Sequence, residues 1–252
     1  MLIDLKSVTK SVLPIAQQAG QIIIENYQHI EIKDKKDYSP VTNADIKSSE
    51  YITNKLSDQF DWPILSEEEI VPYEQRKFWQ CFWLIDPLDG TRDFINGSND
   101  FTVNIALIYQ SRPVLGVVYA PATKECWNAY KKGGAFYNGV KIINSNVRKL
   151  TIGTDSNFHS TQMTKDFFLL NGIDEVKRLG SSLKMCKVAD GAVDIYPRLN
   201  GTKEWDTAAS EIILEESNCE ILTWPDKGKL VYNKKELINP FFVAARKNCN
   251  WI

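Results

Sequence analysis

The 252-residue chain is poor in histidine, with only His29 and His159. Its five cysteines (Cys81, Cys126, Cys186, Cys219 and Cys249) show no C-x-x-C spacing and lie near neither histidine, which argues against a zinc site built from those residues. An odd, dispersed set suits free thiols in a reducing compartment better than a disulfide framework. A dominant charge is lacking too. Thirty Lys and Arg against 32 Asp and Glu leave a net charge of −2, so no basic nucleic-acid surface or charged tail is expected. No apolar run approaches the roughly 20 residues needed to span a bilayer. Asp4 and Lys6 stand where a signal peptide would be apolar, so the cytoplasm is the expected compartment.

What is present is enough apolar sequence, 43% of the residues, to bury a full core. Leu5, Val8, Val12, Ile15, Ala19, Ile22 and Ile23 recur at helical spacing, so a helix is expected over 5–28, starting or bending at Pro14. A second helix is expected over 44–60. Strands are expected at 63–65, 81–86, 101–107 and 114–119, followed by short β segments around Gly133-Gly134 and Asn138-Gly139. The second half changes rhythm, with helices at 161–171, 181–190 and 204–217 and strands near 176–179, 193–196, 219–224 and 241–245. No linker, repeat or low-complexity segment intervenes. The expectation is one unit, 1–252, of stacked helical and sheet layers, with lobes 1–150 and 151–252.

The segment Phe82-Trp83-Leu84-Ile85-Asp86-Pro87-Leu88-Asp89-Gly90-Thr91 carries the most chemistry. A buried strand that runs into two carboxylates is costly unless cations neutralise the pair. Other carboxylates take similar positions. Asp45 opens the second helix, Glu67 and Glu68 follow a short strand, and Asp206 begins a late helix. Singly, Asp45 and Asp206 read as helix caps and Glu67 to Glu69 as a solvated turn. Together they form an oxygen-only donor set, which selects hard cations such as Mg²⁺ or Mn²⁺. Gly90 allows a substrate oxygen close to the backbone, and a helix starting at Thr91 would offer N–H groups to an anion; the bland alternative is an Asp-Gly turn with a capping threonine.

Asp86-Pro87-Leu88-Asp89-Gly90-Thr91, preceded by Leu65-Ser66-Glu67-Glu68 and followed by Trp205-Asp206-Thr207-Ala208-Ala209, resembles the inositol monophosphatase superfamily of metal-dependent, lithium-sensitive phosphomonoesterases. The likeness spans essentially the whole chain. Asp37-Tyr38-Ser39-Pro40-Val41-Thr42, Gly180-Ser181-Ser182-Leu183-Lys184, Tyr196-Pro197-Arg198 and Ile238-Asn239-Pro240 resemble its 3′(2′),5′-bisphosphate nucleotidase branch. The resemblance implies an α+β fold, a layered α-β-α-β-α sandwich, with a metal-binding N-terminal lobe and a smaller C-terminal lobe that completes the substrate pocket. It implies two or three Mg²⁺ ions held by Glu67, Asp86, Asp89, Asp206 and the Leu88 carbonyl. Asp45 and Thr91 match the pair that orients and deprotonates the attacking water. Gly90 and Thr91 match the scissile-phosphate site, where Glu67, Leu88, Asp89 and Asp206 also meet substrate. Ser181, Ser182, Lys184 and Arg198 match positions that hold the nucleotide.

The implied reaction is hydrolysis of the 3′-phosphate of adenosine 3′,5′-bisphosphate to AMP, with 3′-phosphoadenylyl sulfate as a further substrate, in sulfur assimilation. The partner is then a small phosphorylated nucleotide, and loose attachment to the inner face of a membrane, ascribed to some relatives, is compatible with it. The branch commonly carries Ser-Arg-Ser-His where this chain reads Thr154-Asp155-Ser156-Asn157-Phe158-His159, which leaves substrate identity and the role of His159 open. Two other readings stand beside the nucleotidase. One is an inositol-1-phosphate or sugar-phosphate phosphatase, and the other is a non-catalytic phosphate or nucleotide sensor on the same scaffold. The sequence does not address oligomeric state.

Overall fold

The computed structural model describes residues 3–27, 29–34, 40–144 and 149–252; Asp37, Tyr38 and Ser39 of the nucleotidase-like segment lie outside them. Helices α1 (Leu5–Glu25), α2 (Asn43–Ser57), α3 (Tyr73–Arg76), α4 (Thr91–Ile95), α5 (Gln162–Leu170), α6 (Leu183–Ala189) and α7 (Glu204–Glu216) alternate with two main sheets. Strands β1 (Ile32–Asp34) and β2 (Pro40–Thr42) form a small antiparallel pair. A seven-stranded sheet follows chain order through β3 (Ile64–Ser66), β4 (Cys81–Asp89), β5 (Thr102–Tyr109), β6 (Arg112–Ala120), β7 (Glu125–Tyr130), β8 (Gly134–Tyr137) and β9 (Val140–Ile142). Only β3 and β4 run parallel in it. The remaining strands are β10 (Ile152–Ser156), β11 (Glu175–Leu179), β12 (Ile195–Arg198), β13 (Cys219–Thr223) and β14 (Phe242–Arg246). They make a mixed five-stranded sheet in the order β11-β10-β12-β14-β13.

Strand alternation sorts the core into layers. Along β4, Trp83 and Ile85 join α1 and α2 through Ile15, Ala19, Ile23 and Ile52, whereas Phe82 and Leu84 face α6 and α7. The second sheet packs Ile221, Phe242 and Ala244 on that same α6/α7 layer. Its opposite side, with Ile195, Val243 and Ala245, is covered by Phe167 and Phe168 of α5. The result is the expected α-β-α-β-α sandwich. Among the described residues, no helix is long and apolar enough to cross a membrane.

One local feature differs from expectation, in that the first helix does not start at Pro14. Helix α1 runs unbroken from Leu5, capped by Asp4, which accepts the Ser7 N–H, and carries Pro14 inside it. Pro14 and Lys10 both sit on the exposed side, so the Lys10 carbonyl that loses its helical donor is left to water. Helix α7 is buried along nearly its whole length because both sheets close on it. Gly116 of β6 makes that possible, since a Cβ there would lie 2.3 Å from the Ala209 carbonyl oxygen. Gly116→Ala is therefore expected to destabilise the fold by about 1–3 kcal/mol, read as a lower urea midpoint at unchanged m-value. A neutral result would mean that α7 does not seat backbone-first on the sheet.

Candidate active site

The site forms where β4, α2 and α7 converge. Strand β4 does not end before its carboxylates but carries both of them. Asp86 pairs with Asn104 and Asp89 with Thr102, so β4 holds one residue more than β5 across this stretch. Residues three apart on a regular strand point to opposite faces; a one-residue bulge turns them to the same side. Pro87 supplies the break in the ladder, because it has no N–H to donate. Its carbonyl is held by the Ser48 hydroxyl at 2.9 Å, and the Asp86 carboxylate accepts the Leu88 N–H at 3.2 Å.

Asp206 joins the pair from the first turn of α7. Ligand oxygens of Asp86, Asp89 and Asp206 all lie within 4.8 Å of one another. Burial raises the Asp206 pKa, and the charges of Asp89 and Glu67 push it further up. This is the cost of crowding carboxylates away from water. The donor set is all oxygen, negatively charged and convergent, and it fits a hard divalent cation. Glu67 reaches the same cavity from the end of β3, where its N–H continues the parallel pairing to the Ile85 carbonyl at 3.2 Å. The Leu88 carbonyl faces Thr91, accepting its hydroxyl at 3.2 Å.

Asp45 and Asp206 both turn out to be caps; Asp206 also lines the cavity, and Asp45 touches it through Thr91. Asp45 spends Oδ2 on the Thr42 N–H (2.8 Å) and hydroxyl (2.5 Å), the capping box of α2, and presents Oδ1 to the Thr91 hydroxyl at 3.1 Å. Asp206 accepts the Lys203 N–H with Oδ2 at 2.8 Å. In each, one oxygen makes the cap of its helix. Burial raises the Asp45 pKa, partly offset by the bonds from Thr42 and Thr91. Gly90 adopts φ +91°, and a Cβ there would approach the Asp100 carbonyl oxygen to 2.9 Å, so the turn into α4 requires glycine.

Glu67, Asp86, Leu88, Asp89, Gly90, Thr91 and Asp206 line a cavity of about 510 Å³. Cations line the same cavity: Arg92, Lys184, Arg198 and Lys203, with His159 among them. Lys184 is 4% exposed and rests 5.5 Å from the centre of the Tyr196 ring. Burial lowers its pKa to about 8 although Asp89 pulls upward. Arg198 donates to the Gly201 carbonyl at 3.0 Å, while its Nε–H is buried and meets no acceptor among the described residues. Burial, then the charges of Arg198, Arg92 and Lys184, depress His159 to about 4, so its ring is neutral at physiological pH.

His159 thus lies in the cavity rather than on an outer loop. Aligning it with the last residue of Ser-Arg-Ser-His puts Asn157 at the arginine position. Its amide spans Asp93 Oδ1 (2.7 Å) and Asp100 Oδ2 (3.0 Å), tying the 157–159 loop to α4. Ser181 lines the cavity in the left-handed region, φ 45°. Three residues escaped sequence reasoning. Arg92 was passed over within the Gly90–Ile95 run, and Thr102 and Asn104 drew notice only as members of the 101–107 strand. Both are buried, Asn104 against Asp89.

With this geometry in view, the relatives are informative. The inositol monophosphatase family profile matches residues 4–248, and the chain belongs to that family. It is 36% identical over 242 residues to the 3′(2′),5′-bisphosphate nucleotidase CysQ of Salmonella typhimurium, covering 92% of this chain and 97% of that one. The Haemophilus influenzae protein of the same name is 39% identical over 254 residues, covering 93% and 91%. Among solved structures, CysQ from Bacteroides thetaiotaomicron, a bacterial member of the inositol monophosphatase family, superposes with a TM-score of 0.85 at 34% identity, covering 96% of this chain and 98% of that one.

Proposed function

We propose that the protein is a Mg²⁺-dependent phosphomonoesterase that hydrolyses the 3′-phosphate of adenosine 3′,5′-bisphosphate to AMP and phosphate. The observation that carries this reading is a single cavity lined both by the carboxylate cluster and by the cations Lys184, Arg198 and Arg92, which gives it two kinds of anion-binding group. A carboxylate cluster attracts a phosphate only through cations, whereas the basic groups attract one directly. Two phosphates on one ligand satisfy both. The cavity volume, about 510 Å³, falls in the range of small-molecule sites. The names of the CysQ relatives point the same way.

Glu67, Asp86, Asp89, Asp206 and the Leu88 carbonyl would hold two or three Mg²⁺ ions. Bound there, Mg²⁺ supplies a nucleophile from water at neutral pH and neutralises charge on the transferring phosphoryl group and the leaving alkoxide. The chain's own part begins at Thr91. Its hydroxyl donates to Asp45 Oδ1, which leaves an Oγ1 lone pair for the proton of the attacking water, while the Thr91 proton passes to the carboxylate. Gly90 and the start of α4 lie where the scissile phosphate would rest. Lys184 and Arg198 would clamp the 5′-phosphate, and neutral His159 would add a hydrogen bond there. In this reading lobe 1–150 supplies the hydrolytic side and lobe 151–252 most of the nucleotide side. Five free cysteines agree with a reducing cytoplasm. 3′-Phosphoadenylyl sulfate fits the same groups, which would place the activity in sulfur assimilation. A substrate with one phosphate would leave the basic groups unpaired, which disfavours inositol 1-phosphate.

Phosphate release should be measured with Mg²⁺ on adenosine 3′,5′-bisphosphate, inositol 1-phosphate and fructose 1,6-bisphosphate, with and without lithium, and with EDTA as control. The bisphosphate nucleotide is expected to give the highest kcat/KM. Equal or better turnover of inositol 1-phosphate would overturn the assignment, and no Mg²⁺-dependent release from any of them would favour a sensor. Arg198→Ala is expected to raise KM for the nucleotide bisphosphate about 10- to 100-fold, the worth of one charge-assisted hydrogen bond, and to leave KM for a simple monophosphate ester nearly unchanged. Equal effects on both would remove Arg198 from the nucleotide site.

A further inference from the structure

We infer that Asn104 and Ser182 form a positioning pair that sets the Asp89 carboxylate for its cation and couples the cation site to the loop closing the nucleotide side. Ser182 thereby takes a role different from the nucleotide contact that the family resemblance implies. Both residues are buried, Ser182 at 0% and Asn104 at 1% exposure. The Thr102 hydroxyl donates to Asn104 Oδ1 at 3.0 Å, which turns the Asn104 amide nitrogen inward. That nitrogen donates to Asp89 Oδ2 at 3.1 Å and to Ser182 Oγ at 2.9 Å. Ser182 already accepts this hydrogen bond, and its single proton has two acceptors in reach. These are Asp89 Oδ2 at 2.6 Å and the Asp206 carbonyl oxygen at 2.8 Å. The hydroxyl is therefore spent inside the protein, and no proton is left for a nucleotide.

The consequence is geometric. Both hydrogen bonds described for Asp89 fall on Oδ2, so the carboxylate is held against rotation and Oδ1 remains for a cation. Groups that orient a ligand carboxylate in this way typically govern metal affinity by 10- to 100-fold. The same hydroxyl touches the backbone of Asp206, so one proton bridges two members of the cluster. Ser182 also directly follows Ser181, which lines the cavity at φ 45°, so a shift of Asp89 would be felt by the loop that meets the nucleotide.

The inference rests on reading Asp89 as a cation ligand, and the test separates the two. Mn²⁺ is titrated into the substrate-free wild-type protein, Ser182→Ala and Asn104→Asp, with bound metal followed by electron paramagnetic resonance and folding by thermal melting. Both variants are expected to bind Mn²⁺ about 10- to 100-fold more weakly. Their lost turnover should return as Mg²⁺ is raised, with KM for the bisphosphate unchanged at saturating metal. Asn104→Asp should be the worse of the two, since it sets a second carboxylate against Asp89 in place of a donor. Normal Mn²⁺ affinity in Ser182→Ala with a raised bisphosphate KM would overturn the inference and return Ser182 to the nucleotide. A wild-type protein that binds no Mn²⁺ would instead overturn the cation reading itself. Should Asn104→Asp fail to fold, Ser182→Ala, which adds no atom to the site, decides alone.

Discussion

Asp206→Asn is expected to lower turnover by about a thousandfold or more, roughly 4 kcal/mol of transition-state stabilisation, while the metal-free protein becomes no less stable. The two halves of that result come from the same geometry. Asparagine is nearly isosteric and its Oδ1 can still accept the Lys203 N–H, so the start of α7 is preserved. What disappears is a negative charge crowded by Asp89 and Glu67. With cations bound, that charge belongs to the donor set and its loss is felt in hydrolysis. In EDTA it is only a liability.

The liability has a direction in pH. Because burial and neighbouring carboxylates raise the Asp206 pKa in the folded protein, the native state keeps a proton that the unfolded chain has already released. The contribution of Asp206 to stability in EDTA should accordingly be fully present below about 4, the ordinary aspartate value, and should be lost as pH rises through the raised native value. The asparagine variant lacks this proton and should lose less stability over that range. Added Mg²⁺ should raise the wild-type midpoint by mass action and the variant's midpoint by less. Thermal melts across pH, with EDTA and with Mg²⁺, check each part. Near-normal turnover, or a variant that melts lower than wild type in EDTA at neutral pH, would remove Asp206 from the cation cluster.

The carboxylates were legible in the sequence because charge at the end of an apolar run is expensive wherever the chain folds. Their convergence was not. It depends on the bulge between Asp86 and Asp89, and a bulge is a property of two strands, visible only when β4 is laid against β5. Strand β10 was missed for a related reason. Ile152-Gly153-Thr154-Asp155-Ser156 has a single large apolar side chain, and its place is set by parallel neighbours on both sides. Pro14 does not mark the start of α1, because on an exposed face the carbonyl that loses its helical donor can turn to water. Asn104 was hidden by the alternation of β5 itself, since a strand buried on both faces still reads as half polar. For Asp45 and Asp206, capping and chemistry looked like rival readings. In the structure both cap their helices, Asp45 also meets the Thr91 hydroxyl, and Asp206 also lies among Asp86 and Asp89.

That double role makes Asp45→Asn a sharp test of the proposed proton path. Its kcat is expected to fall about 10²- to 10⁴-fold with little change in KM, the loss typical of removing a general base. The asparagine carbonyl can take over the Thr42 N–H, so the α2 cap should survive at a cost of no more than about 1 kcal/mol. Its amide nitrogen then faces Thr91 as a donor. The Thr91 hydroxyl must turn its proton to the Leu88 carbonyl, 3.2 Å away, which is no base. The lone pair that would receive the water's proton is occupied at the same time. In the wild-type enzyme, burial raises the Asp45 pKa, so activity should decline on the acid side at a pH above the ordinary aspartate range. The decline follows protonation: below the raised value the carboxyl can no longer accept the proton from Thr91. The variant's residual activity should lose that acid limb, as nothing at position 45 titrates. An acid limb that persists unchanged in Asp45→Asn, or a kcat within tenfold of wild type, would assign the proton to another acceptor and leave Asp45 as the cap of α2 alone.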